Sequence, residues 1–167
     1  AALCADQNWN NGDYSSPPVA GLKAFARVYA GWAFSQTFYR NSLFKEIGYD
    51  SLEDLLVDWE EDHSMNWDAN NLLCKLDTWQ TSDISVGPIY NGNIEMALNA
   101  IKAKTILMPC MHDLYFPPED NEIEAAYING ADFRPFDSPW GHCAANPGND
   151  PDFTAELERA INELLEE

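Results

Sequence analysis

The chain has 167 residues, of which 46% are hydrophobic and 13% aromatic, so it can bury a substantial core, and this composition argues against global disorder. Nine Lys and Arg stand against 28 Asp and Glu, and the net charge of −19 disfavours binding to nucleic acids and to anionic membrane surfaces, which would repel the chain. The four cysteines are widely spaced and form no C-x-x-C, which predicts reduced thiols and a cytoplasmic location.

The first part of the chain is predicted to be helical and rich in aromatic residues. A turn-rich loop, NWNNGDYSSPP, precedes a long helix from about Val19 to Arg40, because prolines favour helix starts and apolar residues then recur at i, i+3 and i+4. Ser51 is a good N-cap for a second helix, and a third is predicted from about Asp68 to Trp79. We interpret these helices as a cap over a site.

The second part of the chain alternates helices and strands. The continuous apolar run TILMPCM, Thr105 to Met111, is typical of a parallel strand covered on both faces, and a second strand is predicted from Asp132 to Asp137. Helices are predicted from Asn93 to Lys102, from Pro118 to about Gly130 and from Asp150 to Glu166. The last helix is predicted to face inward with Phe153, Leu157, Ala160, Ile161, Leu164 and Leu165. The alternation predicts an α/β fold with parallel strands and crossover helices.

Two candidate catalytic residues, Asp113 in MHDLYFPPED and His142 in SPWGHCAANPG, follow the two predicted strands. Functional groups of parallel sheets lie beyond the carboxyl ends of the strands, and a Ser-Asp-His hydrolase has its acid and then its base in this order. In such an enzyme the carboxylate orients the imidazole, which takes the proton of the serine hydroxyl. Gly141 would let the backbone turn sharply before the histidine. No G-x-S-x-G occurs in the sequence, so the pair has no nucleophile within it.

The pattern alone leaves other interpretations of these residues open. Asp113 could cap the turn before the following Pro-Pro dipeptide, and His142 could be a core histidine bonded to a carbonyl group. A metal site could use the residues Cys110, His112, His142 and Cys143. We predict no metal, because zinc spacings such as C-x-x-C are absent. A nucleophilic role for Cys110 is less favoured still, since its place in an apolar strand predicts burial.

Five segments of the chain carry a resemblance to a known family. They are NWNNGDY, PPVAGLKAFAR, WDANNLLCKLDTWQTSD, ALNAIKAKTILMPCMHDLYFPPED and DSPWGH. In their order and spacing the chain resembles the C-terminal half of a homoserine O-acetyltransferase-type α/β-hydrolase. The resemblance implies an entry loop from a missing core at residues 1–14, a helical cap at 15–92 and the C-terminal part of the α/β-hydrolase core at 93–167. It also implies that Asp113 and His142 are acid and base, and that the serine lies upstream.

The family reaction implied by the resemblance is ping-pong: the serine takes an acyl group from acetyl-CoA and passes it to the homoserine hydroxyl. The resemblance also implies that Arg27, in GLKAFAR, binds the amino-acid substrate, and a guanidinium fork suits its carboxylate. Pairing of Arg27 with a nearby acid is equally open. Phe34 stands where the family has a tyrosine, and Cys143 where it has an aspartate. Both changes leave a homoserine ammonium poorly matched, which favours an esterase-like relative that hydrolyses small acyl esters.

Two functions are expected on this basis. The first is the acid-base half of an α/β-hydrolase that acts on small acyl esters or thioesters, inactive by itself and without a required cofactor; coenzyme A enters only as a possible acyl donor implied by the resemblance. The second is a non-catalytic truncated module that self-associates through its cap helices and an exposed sheet edge, since an uncovered strand invites pairing. The resemblance also implies a homo-oligomer formed through the cap helices, and the negative charge predicts no nucleic-acid or membrane partner.

Overall fold

The structure, a computed structural model, describes residues 1–146 and 150–166. Pro147 and Gly148 at the end of the GHCAANPG segment, and Glu167 of the predicted core, lie outside the described residues. The chain divides into two compact units, residues 1–31 with 39–82, and residues 32–38 with the chain from Asp83 onwards. The predicted division into residues 1–14, 15–92 and 93–167 concerns a whole enzyme and stays a prediction.

Helices dominate the described residues, and two short parallel strands accompany them. The α-helices are α1 (Val19–Ala33), α2 (Gln36–Arg40), α3 (Leu52–Asn66), α4 (Ala69–Thr81), α5 (Ile94–Asn99), α6 (Pro118–Tyr127) and α7 (Pro151–Leu165). The strands are β1 (Ile106–Leu107) and β2 (Asp132–Phe133). Within the described ranges, none of the helices combines the length and the apolar character that a membrane crossing requires.

The first unit is helical and has its own apolar core. The core consists of Leu3, Leu22, Ala69 and Leu72, with Trp9, Tyr14, Phe25 and Leu73 packed against it. The predicted N-cap of α3 is confirmed: the Ser51 hydroxyl accepts a hydrogen bond from the Asp54 N–H, and the Asp54 carboxylate accepts one from the Ser51 N–H. Asp68 caps α4 by accepting a hydrogen bond from the Asn71 N–H at 2.9 Å.

The predicted single helix from Val19 to Arg40 is wrong, because α1 ends at Ala33 and α2 starts at Gln36. The break is fixed by Ser35, which is buried between the two helices. Its hydroxyl accepts a hydrogen bond from the Phe38 N–H at 2.9 Å and donates one to the Pro139 carbonyl. The second bond reaches a partner far along the chain, so helix periodicity carries no sign of the break.

The second unit contains the parallel strands and confirms the α/β class. Ile106 pairs with Asp132, and an isolated bridge joins Cys110 to Phe136. The predicted strands are longer than β1 and β2, although hydrogen bonds between the segments continue to the Met111 N–H, which donates to the Phe136 carbonyl at 2.9 Å. Pro109 interrupts the ladder of hydrogen bonds. In the extension of β1 every second residue would donate its N–H to the neighbouring strand, and Pro109 stands at such a position without an N–H.

Helix α7 covers the sheet through part of its predicted inner face. Phe153 and Ala160 are buried, and the Phe153 ring stacks on that of Phe136 with centroids 3.9 Å apart. Leu157 packs against the same cluster. The prediction is wrong for the last turn of the helix, where Ile161, Leu164 and Leu165 are exposed. The second unit therefore buries this face of α7 from Phe153 to Ala160 and leaves its C-terminal end exposed.

Candidate active site

The structure brings the two predicted catalytic residues together in the second unit. Asp113 follows the bridge residue Cys110, and His142 lies in the 3₁₀ turn Gly141–Ala145 after β2. The His142 Nδ1 lies 3.1 Å from the Asp113 Oδ2. The side chain of Asp113 is 9% exposed and that of His142 is 27% exposed. A nearly buried carboxylate therefore holds an imidazole that remains open to solvent.

Asp113 uses its two oxygens for different partners. Its Oδ1 accepts hydrogen bonds from the N–H groups of Tyr115 at 2.7 Å and Phe116 at 3.2 Å, while its Oδ2 faces His142. Burial raises the pKa of the Asp113 carboxyl, but the bonds from His142 and the two N–H groups outweigh it and hold the pKa below the usual 3.8. Asp113 is consequently ionised at neutral pH.

The hydrogen bond to Asp113 defines the roles of the two imidazole nitrogens. An ionised carboxylate can only accept a hydrogen bond, so the shared proton belongs to the His142 Nδ1. In a neutral imidazole the other nitrogen, Nε2, is then free to accept a proton. The rings of Tyr115 and Phe116 flank the imidazole, with centroids at 4.6 and 5.4 Å. The arrangement can therefore act as an oriented base in partly apolar surroundings.

The turn before His142 needs glycine at position 141. Gly141 has φ +62°, a backbone conformation that side-chain-bearing residues rarely adopt. A Cβ there would lie 2.8 Å from the Ser35 N and 3.2 Å from the His112 carbonyl oxygen. The sharp turn expected from the sequence is thus combined with close packing, and both bring the histidine next to Asp113.

A cavity of about 320 Å³ opens beside the pair within the second unit. Its lining is largely apolar and includes Met108, Phe116, Phe136, Ala145 and Phe153 together with Asp113 and His142. Its size is close to the lower end of the range for small-molecule pockets. The imidazole and carboxylate therefore border a space in which a small apolar group fits.

The residues of the alternative metal site face different partners. The Cys110 Sγ donates to the Ser138 carbonyl at 3.4 Å, and burial raises the pKa of its thiol. Burial likewise raises the pKa of Cys143 to about 12, with the Asp113 charge adding to it. Across residues 1–146 and 150–166, no three His, Cys, Asp or Glu side chains converge as metal ligands would.

A second histidine-acid pair lies next to the first and was missed from the sequence. The His112 Nε2 is 2.9 Å from the Asp137 Oδ1, and both side chains are exposed. The available signal was that His112 precedes Asp113 and that Asp137 ends the second predicted strand. This exposed pair differs from Asp113, which is nearly buried and accepts two backbone hydrogen bonds.

Arg27 lies on α1 in the first unit, where two acids occupy its guanidinium group. Its two terminal nitrogens donate to Glu53 at 2.7 and 3.1 Å, and its Nε donates to Glu60. These bonds raise the pKa of Arg27. The pairing corresponds to the alternative left open from the sequence, and substrate binding by Arg27 stays a prediction.

Comparison with known proteins finds relatives over nearly the whole chain. The chain is 32% identical over 164 residues to a probable esterase of Corynebacterium glutamicum, and 32% identical over 166 residues to the ethyl acetate hydrolase of Pseudomonas veronii. These alignments cover 97% and 98% of this chain but 46% and 47% of those proteins, so the chain spans about half the length of the curated relatives it matches. A homoserine O-acetyltransferase of Chloroherpeton thalassium is 27% identical over 98% of this chain and 42% of that protein. No protein-family model matches the chain.

Solved structures give the same relationship. The acetyl esterase MekB matches 99% of this chain and 48% of its own chain, with a TM-score of 0.92 and 31% identity. The predicted resemblance and fold class are thereby confirmed. The chain belongs to the α/β-hydrolases, as a C-terminal half related to acetyl-ester esterases and homoserine O-acetyltransferases.

Proposed function

We propose that this chain supplies the acid, Asp113, and the base, His142, of a Ser-Asp-His triad that hydrolyses small acyl esters. The observation that carries the proposal is the 3.1 Å contact between the His142 Nδ1 and the nearly buried Asp113 carboxylate. The sequence contains no G-x-S-x-G, so the nucleophilic serine would come from a segment outside these residues.

In the proposed reaction His142 moves the proton while Asp113 stays ionised. The serine hydroxyl attacks the ester carbonyl and gives its proton to the His142 Nε2, which then passes it to the departing alcohol. A water molecule repeats the sequence on the acyl-enzyme and releases the acid. Asp113 keeps Nδ1 protonated and stabilises the imidazolium by its negative charge, a role that its lowered pKa supports.

Two residues, Cys143 and Phe34, support hydrolysis over transfer to homoserine. Cys143 follows the base directly, and its raised pKa of about 12 keeps it neutral where the family resemblance implies a carboxylate. Phe34 is buried and stacks on Phe38, with ring centroids 4.4 Å apart, where the family has a tyrosine. Neither side chain offers a substrate ammonium a charged or strong hydrogen-bonding partner. The higher identity to the two ester hydrolases points the same way.

The proposal places no demand on Arg27. If the substrate were an amino acid, its carboxylate would have to replace Glu53 or Glu60 at the guanidinium fork. A small ester without a carboxylate leaves these ion pairs intact. A cytoplasmic location forms part of the proposal, since Cys4 and Cys74 expose thiols that an oxidising compartment would tend to pair.

A chimera tests the proposal. The C-terminal half of the Pseudomonas veronii ethyl acetate hydrolase is replaced by this chain, and ethyl acetate hydrolysis is measured. We expect activity, and a loss of at least about 10⁴-fold in kcat for His142→Gln and Asp113→Asn, since the triad members act as a unit. The matched control is His112→Gln in the neighbouring exposed pair, which should keep the activity. An active His142→Gln chimera would refute the proposal.

Self-association without catalysis is the second candidate function. Exposed apolar side chains on α3 and α4 of the first unit, namely Val57, Met65 and Trp79, support it. Sedimentation measurements should then show a dimer that dissociates when Val57 and Met65 are both changed to Ser. A parent chain that is monomeric at high micromolar concentration would contradict this candidate.

A further inference from the structure

The segment that carries His142 is anchored on one side by Ser138. This residue is fully buried, and its hydroxyl donates to the Asp150 carboxylate at 2.5 Å. Its carbonyl accepts from the Cys110 thiol at 3.4 Å. Asp150 in turn caps α7 by accepting from the Asp152 and Phe153 N–H groups. The start of the loop is thereby tied to the sheet and to the helix behind it.

Ser35 anchors the same loop at Pro139, the residue that follows Ser138. It lies between α1 and α2 with 1% of its surface exposed. Its hydroxyl donates to the carbonyl of Pro139, three residues before His142, and accepts from the Phe38 N–H at 2.9 Å. The bond from the Phe38 N–H is buried and the bond to the Pro139 carbonyl is partly buried. Removing the hydroxyl would leave both groups without this partner, which is costly.

The backbone of Ser35 also sets the position of the turn. Its N lies 2.8 Å from where a Cβ of Gly141 would be, so the two backbones are in direct contact. The Phe38 ring packs on Trp140, with centroids 5.3 Å apart. The three residues that lead into His142, Pro139 to Gly141, therefore pack against the break between α1 and α2.

We infer that Ser35 is a positioning residue for His142. Its hydroxyl holds the loop in the position in which the His142 Nδ1 contacts the Asp113 carboxylate. The inference rests on the proposed function in treating His142 as the base. Asp113 is held separately, by the Tyr115 and Phe116 N–H groups. A loop released from Ser35 would therefore move the imidazole while the carboxylate stays in place, and the 3.1 Å contact would lengthen.

The test reads the imidazole directly in the 167-residue chain. Proton and long-range ¹H–¹⁵N spectra at neutral pH report the Nδ1 proton and the tautomer of each histidine, and a His142→Gln variant assigns the His142 signals. In the parent we expect a downfield Nδ1 proton and the Nδ1-protonated tautomer. Ser35→Ala should lose that proton signal and show averaged tautomers at His142, with the signals of His63 unchanged.

Ser85→Ala is the matched control, because Ser85 is equally buried in the second unit and its hydroxyl donates to Asp83 instead of the loop. It should leave the His142 signals as in the parent. Unchanged His142 signals in a folded Ser35→Ala variant would overturn the inference, as would the same loss in Ser85→Ala.

If Ser35→Ala fails to fold, the Ser35→Cys variant provides the test. The thiol has a similar shape but is a weaker hydrogen-bond donor, so we expect a weakened Nδ1 proton signal at His142. An unchanged signal in Ser35→Cys would overturn the inference. An inactive chimera leaves this readout intact, which separates a failure of the proposed function from a failure of the inference.

Discussion

Asp113 combines two tasks that the sequence presented as alternatives. One oxygen accepts the Tyr115 and Phe116 N–H groups and so fixes the turn, and the other faces His142. The backbone bonds leave the carboxylate little freedom, so the imidazole meets it at one defined oxygen. At the scale of single residues, orientation of the pair therefore depends on local backbone donors as much as on the histidine itself.

The ionisation of Asp113 makes stability depend on acid pH. Because its pKa in the folded chain lies below the usual 3.8, its contribution is fully present above that value and is lost as the pH falls through the folded-state pKa. We expect the difference in the free energy of unfolding between the parent and Asp113→Asn to shrink between about pH 5 and pH 2. Urea titrations at several pH values measure it, and a difference independent of pH would contradict the assignment.

The four cysteines should differ in reactivity with iodoacetamide. Cys4 and Cys74 are exposed, whereas Cys110 and Cys143 are buried and have raised pKa values, about 12 for Cys143. Because the thiolate is the reactive form, we expect rapid alkylation of the two exposed thiols at pH 8 and protection of the two buried ones. Peptide mass spectrometry distinguishes them, and a denatured sample, in which all four should react, is the control. Early modification of Cys143 would show that its surroundings open readily.

At the scale of elements, the turn Gly141–Ala145 and the break between α1 and α2 depend on each other. The Ser35 hydroxyl at the break donates a hydrogen bond to the carbonyl of Pro139, which lies just before the turn. Glycine at 141 permits the contact, since any larger residue would push on Ser35. The packing of two irregular segments therefore defines the position of the histidine.

Substitution of Gly141 should be more costly than φ alone explains. Gly130→Ala is a matched control in the second unit, because Gly130 also has a positive φ, +74°, but a Cβ there meets nothing within 4 Å. We expect Gly130→Ala to lower the free energy of unfolding by about 1–2 kcal/mol through backbone strain. Gly141→Ala should cost more, because its methyl group would lie 2.8 Å from the Ser35 N. Urea unfolding measures both variants. Equal decreases in the free energy of unfolding would show that the structure accommodates a methyl group next to the Ser35 N without an additional loss of stability.

At the scale of the whole molecule, the chain holds Asp113 and His142 in contact but covers less than half of its esterase relatives. Large apolar side chains are also exposed in the second unit, with Val86 and Ile89 each about three-quarters exposed. Both features agree with a chain that corresponds to part of an α/β-hydrolase.

The 167-residue chain by itself should show no triad-dependent esterase activity. With p-nitrophenyl acetate, we expect the parent to hydrolyse no faster than its His142→Gln and Asp113→Asn variants, because an imidazole without the serine and its oxyanion hole provides little catalysis. Initial rates at equal protein concentration compare the three. A parent rate that falls when His142 is replaced would show that the chain supplies its own nucleophile.

The amino-acid sequence by itself predicted the features that depend on neighbouring residues. The N-cap at Ser51, the proline start of α6 and the buried stripe of α7 through Phe153 and Ala160 all follow from local hydrogen bonding and apolar spacing. The order of Asp113 and His142 after two apolar segments was also readable, because the carboxyl ends of parallel strands meet at one edge of a sheet. The α/β-hydrolase class followed from this order together with the resemblance of whole segments.

The tertiary structure alone decided the features that depend on distant partners. The helix predicted to reach Arg40 breaks at Ser35, because the Ser35 hydroxyl bonds to the Pro139 carbonyl. The strands are shorter than predicted, because Pro109 has no N–H to donate to the neighbouring strand. Arg27 is paired with Glu53 and Glu60, and the sequence, with 28 acidic residues, could not show which acids Arg27 would contact. Hydrogen bonds and close contacts between remote segments leave no periodic trace in a sequence, so only the folded chain reveals which partner each polar group has found.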